Sequence, residues 1–333
     1  MQYLRIEGGV MCKVLVRLAL AASILGITAT GSAFAQAFPS KPVRLIVPFP
    51  PGGATDIIGR LVAAKMQEIW GQTVIVDNRP GAGTVVGTNA VAKAPPDGYT
   101  MGFVVTAHVI NPSFRADLPY DTIKDLAPVS QVSVQHLVLA ANPSFPASNI
   151  AELIDLAKKS PGTLAYATPG SGTAMHLSIE LLKTNAGIGL VHVPYKGGAP
   201  AQQDVMGGRV PLLVDVHYAV LPLINSGKIK VLALLSPERM KSFPNLPTIA
   251  ETVPGVGAMS MVGIVAPAAT PPDIVHQASA DVARAVRSSD LRERMVQVGM
   301  EPVGSTPEQF DSFIRAEIDK WSRVVKASGA KVD

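Results

Sequence analysis

Two segments of this chain share a design that suits the capture of an anion. Pro48-Phe49-Pro50-Pro51-Gly52-Gly53-Ala54-Thr55-Asp56 and Thr168-Pro169-Gly170-Ser171-Gly172-Thr173-Ala174-Met175-His176 each join a strand pattern to a helix pattern. In both, glycines let the backbone approach a ligand closely and hydroxyls stand at the start of the helix. The first turn of a helix carries N–H groups without intrahelical acceptors and a partial positive charge. Such a terminus attracts an anion without any Lys or Arg. A carboxylate there gains about 0.3–1 kcal/mol from the dipole, and up to about 2 when partly buried. Each hydrogen bond to a charged group adds about 1.5–3 kcal/mol. A few such bonds reach the roughly −8 kcal/mol of micromolar binding.

One loop of this kind, taken alone, reads first as a turn, with Thr55 or Ser171 as an ordinary N-cap. Two matching loops, one in each half of the chain, favour a binding cleft instead. In open α/β sheets, ligands sit at the carboxyl ends of the strands, where both loops lie. Other chemistries fit less well. Neither loop has the GxxxxGK[ST] pattern of a phosphate cradle. Gly170-Ser171-Gly172 falls short of a G-x-S-x-G nucleophile elbow, since position 169 is proline. A triad of Ser171, His176 and Asp204 or Asp215 can be written on paper, with no spacing to support it. The six histidines are scattered without metal-ligand spacing. Asp56, in the first turn of its helix, suits the dipole but repels a carboxylate unless it faces away or the ligand also carries an amine.

The elements that position these loops follow from patterning. Val43–Val47 is a β-branched run, and Ile57, Ile58, Leu61, Val62, Met66 and Ile69 recur at helical spacing up to Gly71. Strands are expected at 74–76, 99–105, 137–140, 164–166, 191–194, 210–216 and 231–235. Helices are expected at 89–93, 150–159, 173–186 and 200–206. This alternation marks an α/β fold. After the proline-rich connector 267–272, two amphipathic helices are expected to close the chain. The last has Thr306 as N-cap, Pro307 at its first position and Gln309 to complete a capping box. Its stripe of Phe310, Phe313, Ile314, Ile318, Trp321 and Val325 reads as core.

Composition narrows the class. Hydrophobic residues make up 47% of 333 and charged residues 16%, enough apolar content for two cores and too little charge for disorder. The net charge of +4 is spread thinly, so a nucleic-acid partner is not indicated. Arg5, Lys13 and Arg17, the apolar run Leu18–Thr30, and Ala33-Phe34-Ala35 have the layout of a secretory signal cleaved after Ala35. Met11 is a plausible alternative start. The mature chain would have 298 residues, with 26 Lys and Arg against 24 Asp and Glu. The only cysteine, Cys12, would leave with the signal, so no thiol or disulfide remains.

Several motifs give the chain a family likeness. They are Phe38-Pro39-Ser40-Lys41-Pro42-Val43-Arg44, Pro51-Gly52-Gly53-Ala54-Thr55-Asp56, Asn78-Arg79-Pro80-Gly81-Ala82-Gly83, Pro96-Asp97-Gly98-Tyr99-Thr100, Val193-Pro194-Tyr195-Lys196-Gly197 with Ala199-Pro200, Pro247-Thr248-Ile249-Ala250-Glu251 and Ala266-Pro267. Over essentially the whole mature length the chain resembles the Bug-type solute receptors of tripartite tricarboxylate transporters. The resemblance implies a type II periplasmic-binding-protein fold, with a ligand cleft between two domains. It implies small carboxylate ligands, including dicarboxylates, amino acids and aromatic acids, and membrane transporter subunits as partners. It implies no cofactor, no metal and no catalysis. Its binding loops correspond to Phe49, Gly52, Gly53, Ala54, Thr55 and Asp56, and to Gly170, Ser171, Gly172 and Thr173. His108, Asn111 and Asp215 would line the rest of the cleft, and Lys196 stands either at its rim or in solvent.

The chain departs from the family pattern at Gly83-Thr84-Val85-Val86-Gly87, ordinarily richer in glycine and asparagine. It also departs at Met261, where an aromatic residue is common, and at Val216-His217-Tyr218. The expected organisation is one discontinuous domain from 36–138 plus 262–333 and a second from 139–261. Hinge crossings then fall near Ala140 and Gly263, in a monomer of the periplasm. A sensor domain for a signalling partner would use the same closed cleft, and an exported hydrolase would need Ser171.

Overall fold

The computed structural model describes residues 38–329. The expected leader, its cleavage position and Cys12 lie outside them. From Lys41 onward the chain forms one compact unit.

The first half of the sheet is built from β1 (Val43–Val47), β2 (Val74–Asn78) and β3 (Thr100–Val105), with β1 parallel to both neighbours. Valine and isoleucine favour the pleated backbone and fill the core on both faces. Helix α1 (Ala54–Trp70) follows β1, burying Ile58, Val62 and Met66. It stops at Gly71, whose left-handed φ of 60° lets its N–H reach the Gln67 carbonyl. Helix α2 (Val85–Ala92) follows β2 after a tight turn at Ala82–Thr84, and α3 (Ala107–Phe114) follows β3. No helix was expected around His108 and Asn111, and α3 carries Pro112 inside it. Eight residues suffice for a helix here because its buried face, not its propensity, holds it.

Strand β4 (Leu126–Ala141) is far longer than the four residues expected from its apolar run. Up to His136 it pairs antiparallel with β9 (Met259–Pro267), which in turn pairs with β3. Its last five residues, Leu137–Ala141, pair instead with β7 (Leu212–Val216) and β8 (Lys230–Leu234). One strand therefore belongs to both halves of the sheet. The second half is completed by β5 (Ala165–Thr168) and β6 (Val191–Pro194), in the order β7-β5-β6 with parallel pairing. Its helices are α4 (Ile150–Lys159), α5 (Ala174–Ala186), α6 (Gly198–Met206) and α7 (His217–Asn225).

Three helices, not the two expected, close the chain: α8 (Pro272–Arg287), α9 (Ser289–Gln297) and α10 (Pro307–Ser328). The extended backbone at Ser288 (ψ 140°) divides α8 from α9. The short β10 (Met300–Pro302) then adds to β4. Helix α10 begins as its sequence predicts, with the reciprocal Thr306–Gln309 capping box. Phe310, Ile314, Trp321 and Val325 are buried, and Phe313 and Ile318 half-buried. This helix packs on α3 in the first half and on α5 in the second. Among the described residues, no helix is long and apolar enough to cross a membrane.

Candidate functional site

A parallel strand followed by a helix places the helix N-terminus beside the strand's carboxyl end. Five such units aim at one cavity: β1 into α1, β3 into α3, β5 into α5, β6 into α6 and β7 into α7. The lining includes Gly53, Ala54 and Thr55 of α1, Thr106 and Ala107 of α3, and Thr173, Ala174 and Met175 of α5. Gly198 of α6 and Val216 at the start of α7 complete the ring. Phe49, Val105, Gln135, Pro169, Asp215 and Ser260 fill the remaining wall. The empty space, counted out to the open mouth, is about 480 Å³. No Lys or Arg lines it. Attraction for an anion there has to come from backbone N–H groups and helix dipoles, as the two loops suggested.

The local bonds explain how these termini are held. Thr173 caps α5 by accepting from the His176 N–H (3.3 Å), and its hydroxyl donates to the Gly170 carbonyl (2.8 Å). Thr106 accepts from the Met261 N–H (2.9 Å) and donates to Ser260 Oγ (3.2 Å), tying α3 to β9. Gln135 Nε2 donates to the Tyr218 hydroxyl (3.4 Å), which donates to the Ala54 carbonyl (2.6 Å).

The residues singled out from sequence fall into three groups. Phe49, Gly53, Ala54, Thr55, Thr173 and Asp215 line the cavity. Gly170 and Ser171 line an adjoining outer groove, which Phe49 and Thr173 also border. Gly52, Asp56, Gly172, His108 and Asn111 border neither. Asp56 turns its carboxylate into its own loop, accepting from Gly52 N–H, Arg60 Nε and Asn78 Nδ2, each at 2.9 Å. Burial pushes its carboxyl up, but the bonds from Arg60, Gly52 and Asn78 outweigh this and hold it below the usual range. Gly172 has a left-handed φ of 73° and donates its N–H to His176 Nδ1 (3.3 Å). Asn111 Nδ2 donates to the Gly83 carbonyl (3.2 Å). His108 is buried, and desolvation lowers it to about 4, so it is neutral at physiological pH. Of the paper triad, Asp204 is taken up by Tyr195 and Arg209, both at 2.7 Å.

Among the described residues, Asp215 is the one ionisable side chain lining the cavity. It is 1% exposed. Burial raises its carboxyl to about 6, against hydrogen bonds from Gln202 Nε2 and the Val216 N–H, both 2.8 Å. Gln135, Thr106 and Ser260 escaped the sequence reading. They stand on β4, at the start of α3 and on β9, elements whose course only the fold reveals.

Residues 58–330 match the model of the "Tripartite tricarboxylate transporter family receptor". The chain belongs to this family. The receptor is similar to the solved structure of Rpa4515 from R. palustris with adipate, at 36% identity and a TM-score of 0.86, covering 89% of this chain and 100% of that one. It is similar to the periplasmic binding protein BugD, at 32% identity and a TM-score of 0.85, with 89% and 100% covered. It is also similar to MatC from Rhodopseudomonas palustris with bound malate, at 31% identity and a TM-score of 0.82, with 86% and 100% covered. The expected α/β fold of a two-domain periplasmic binding protein is thereby borne out, and the receptor is a periplasmic solute-binding protein of the Bug type.

Proposed function

We propose that this receptor captures a small carboxylate in the cavity ringed by five helix N-termini and delivers it to membrane subunits of a tripartite tricarboxylate-type transporter. It does no chemistry on its ligand. The observation that carries this reading is the convergence of α1, α3, α5, α6 and α7 on one largely apolar space without a cationic side chain. N–H donors and dipoles there favour an anion, and the apolar walls strengthen each bond by excluding water. The adipate and malate held by two related receptors support a dicarboxylate.

Two domains would close over the ligand about the strand that serves both sheet halves. The change of β4 partners after His136 supports a division into 36–138 plus 262–333 and 139–261. Phe49, Gly52, Gly53, Ala54, Thr55, Asp56, Gly170, Ser171, Gly172, Thr173 and Asp215 form or shape the ligand contacts, and His108 and Asn111 support the wall behind them. The leader up to Ala35 would be removed on export, and the receptor would act as a monomer. Calorimetric titration with succinate, malate and adipate tests the ligand class, and micromolar binding of at least one is expected. Binding of a neutral sugar with no response to any small acid would overturn the reading.

A further inference from the structure

The outer groove beside the cavity is not explained by the capture of one carboxylate. It encloses about 780 Å³ of empty space out to its mouth, and its lining includes Arg115, Lys196 and no Asp or Glu. Arg115 is the C-cap of α3 and lies against the turn at Ala82–Thr84. Its Nε is buried and has no hydrogen-bond partner. Thr84, 3% exposed, also lines the groove with an unpartnered Oγ1. Buried donors are ordinarily satisfied, and a charged one most of all. A partly exposed guanidinium in a groove that offers it no carboxylate therefore points to an acidic partner supplied by the ligand.

The turn that carries Thr84 is built to leave this space. Gly83 has φ 60°, and a Cβ there would lie 2.8 Å from the Ser171 carbonyl oxygen and 3.1 Å from Arg115 Nη2. Any side chain would fill the gap between the guanidinium and the loop opposite. Ala82 (φ 47°) and Thr84 (φ 80°) are held in the left-handed region that residues with a Cβ avoid. Such strain persists where the surroundings impose it, commonly at ligand clamps. Asn111 fixes the turn from behind through the Gly83 carbonyl.

Groove and cavity are continuous, since Phe49, Pro169 and Thr173 line both. We propose that the groove is a second anion subsite, in which Arg115, with Lys196 on the same lining, receives the distal acidic group of an elongated diacid whose first carboxylate lies in the cavity. This rests on the carboxylate reading above and deepens it. The apolar spacer of the ligand would pass Phe49 and Pro169. Arg115 then acts as a specificity residue, discriminating diacids from monoacids of equal length.

The test is titration of the purified receptor and its Arg115→Gln and Arg115→Lys variants with α,ω-diacids from succinate to azelate, each paired with its monoacid of equal length. Wild type should prefer the best diacid over its matched monoacid by about ten- to a hundredfold, the range of one charge-assisted bond. Arg115→Gln should collapse that preference to about unity while leaving monoacid affinity in place. Arg115→Lys should restore part of it. Retained monoacid binding by the Gln variant also shows that it is folded. An undiminished diacid preference in Arg115→Gln would overturn the second subsite and leave the carboxylate reading standing. A wild type that binds neither series would overturn both.

Discussion

The hydroxyl of Tyr218, in the first turn of α7, donates a 2.6 Å hydrogen bond to the carbonyl of Ala54, the first residue of α1. The two helices belong to opposite halves of the sheet, so the bond ties the halves together beside Ala54, which lines the cavity. Its donor is buried, and Gln135 Nε2 donates to the same oxygen at 3.4 Å. Tyr218→Phe removes the bond and keeps the ring packing. A net hydrogen bond is worth about 0.5–1.5 kcal/mol. The dissociation constant of the best diacid should therefore rise about two- to tenfold, mainly through faster release, as stopped-flow displacement would show. Unchanged release would mean that the bond plays no part in closure.

Asp215 makes stability and binding depend on pH. Its folded carboxyl is raised from 3.8 to about 6 by burial. A group with a raised folded value binds more protons folded than unfolded. Stability is therefore greatest at the acid end of this window, falls as pH rises from 3.8 to about 6, and stays reduced above it. The full cost is roughly 3 kcal/mol, from about 1.4 kcal/mol per pH unit. Asp215→Asn keeps an acceptor for the Val216 N–H and removes the charge. Its melting temperature at pH 7.5 should exceed that of wild type, with the gap shrinking below pH 6. A diacid without an amine should bind the variant about tenfold tighter at pH 7.5, because the like charge is gone. Weaker binding would mean that Asp215 accepts a donor carried by the ligand, such as an ammonium.

Asp56 behaves in the opposite sense. Its carboxylate organises the first loop through Gly52, Arg60 and Asn78, and its folded value lies below 3.8. The stability it contributes is present above the unfolded value and is lost as pH falls through the folded one. Asp56→Ala leaves the Gly52 and Asn78 donors without this acceptor. A loss of about 1–3 kcal/mol is expected, seen as a lower urea midpoint at pH 7. The difference should narrow toward pH 3. A midpoint equal to wild type at pH 7 would show that water replaces the carboxylate without cost.

How much of this was legible in the sequence depends on the range of the interactions. The capping box at Thr306 and Gln309 involves residues three apart, and it formed as expected. The two glycine loops were visible because a turn and a helix start are local. Gln135, Thr106 and Ser260 were not, because what brings them to the cavity is the pairing of β3, β9 and β4. Strand β4 was cut short for a related reason. Residues Ser130, Gln131, Ser133 and Gln135 are polar yet buried, so its first part lacks the apolar run that marks a central strand. Asp56 and Asp215 look alike in sequence, and only the fold turns one into its loop and the other onto the cavity.

Gly172 tests whether the second loop must fit against the first half. A Cβ at this position would lie 2.8 Å from Phe114 Cδ1, and its φ of 73° disfavours any side chain. Phe114 ends α3, in the other half of the sheet. If the lobes part as proposed, an added methyl presses on the aromatic ring only in the closed state. The left-handed backbone costs an alanine about 1–2 kcal/mol. That cost falls on any conformation, whereas on the proposed closure the collision with Phe114 falls on the closed one alone. Gly172→Ala should lower the melting temperature of the free receptor slightly. It should weaken diacid binding by more than about tenfold, since a ligand can draw on closure only to the extent that it favours the closed state. Gly172→Asp should abolish binding, since its larger side chain meets the same Phe114 ring and cannot be accommodated. Calorimetry on both variants, with circular dichroism to follow the fold, separates these effects. Wild-type affinity in Gly172→Ala would place this loop outside the closing surface.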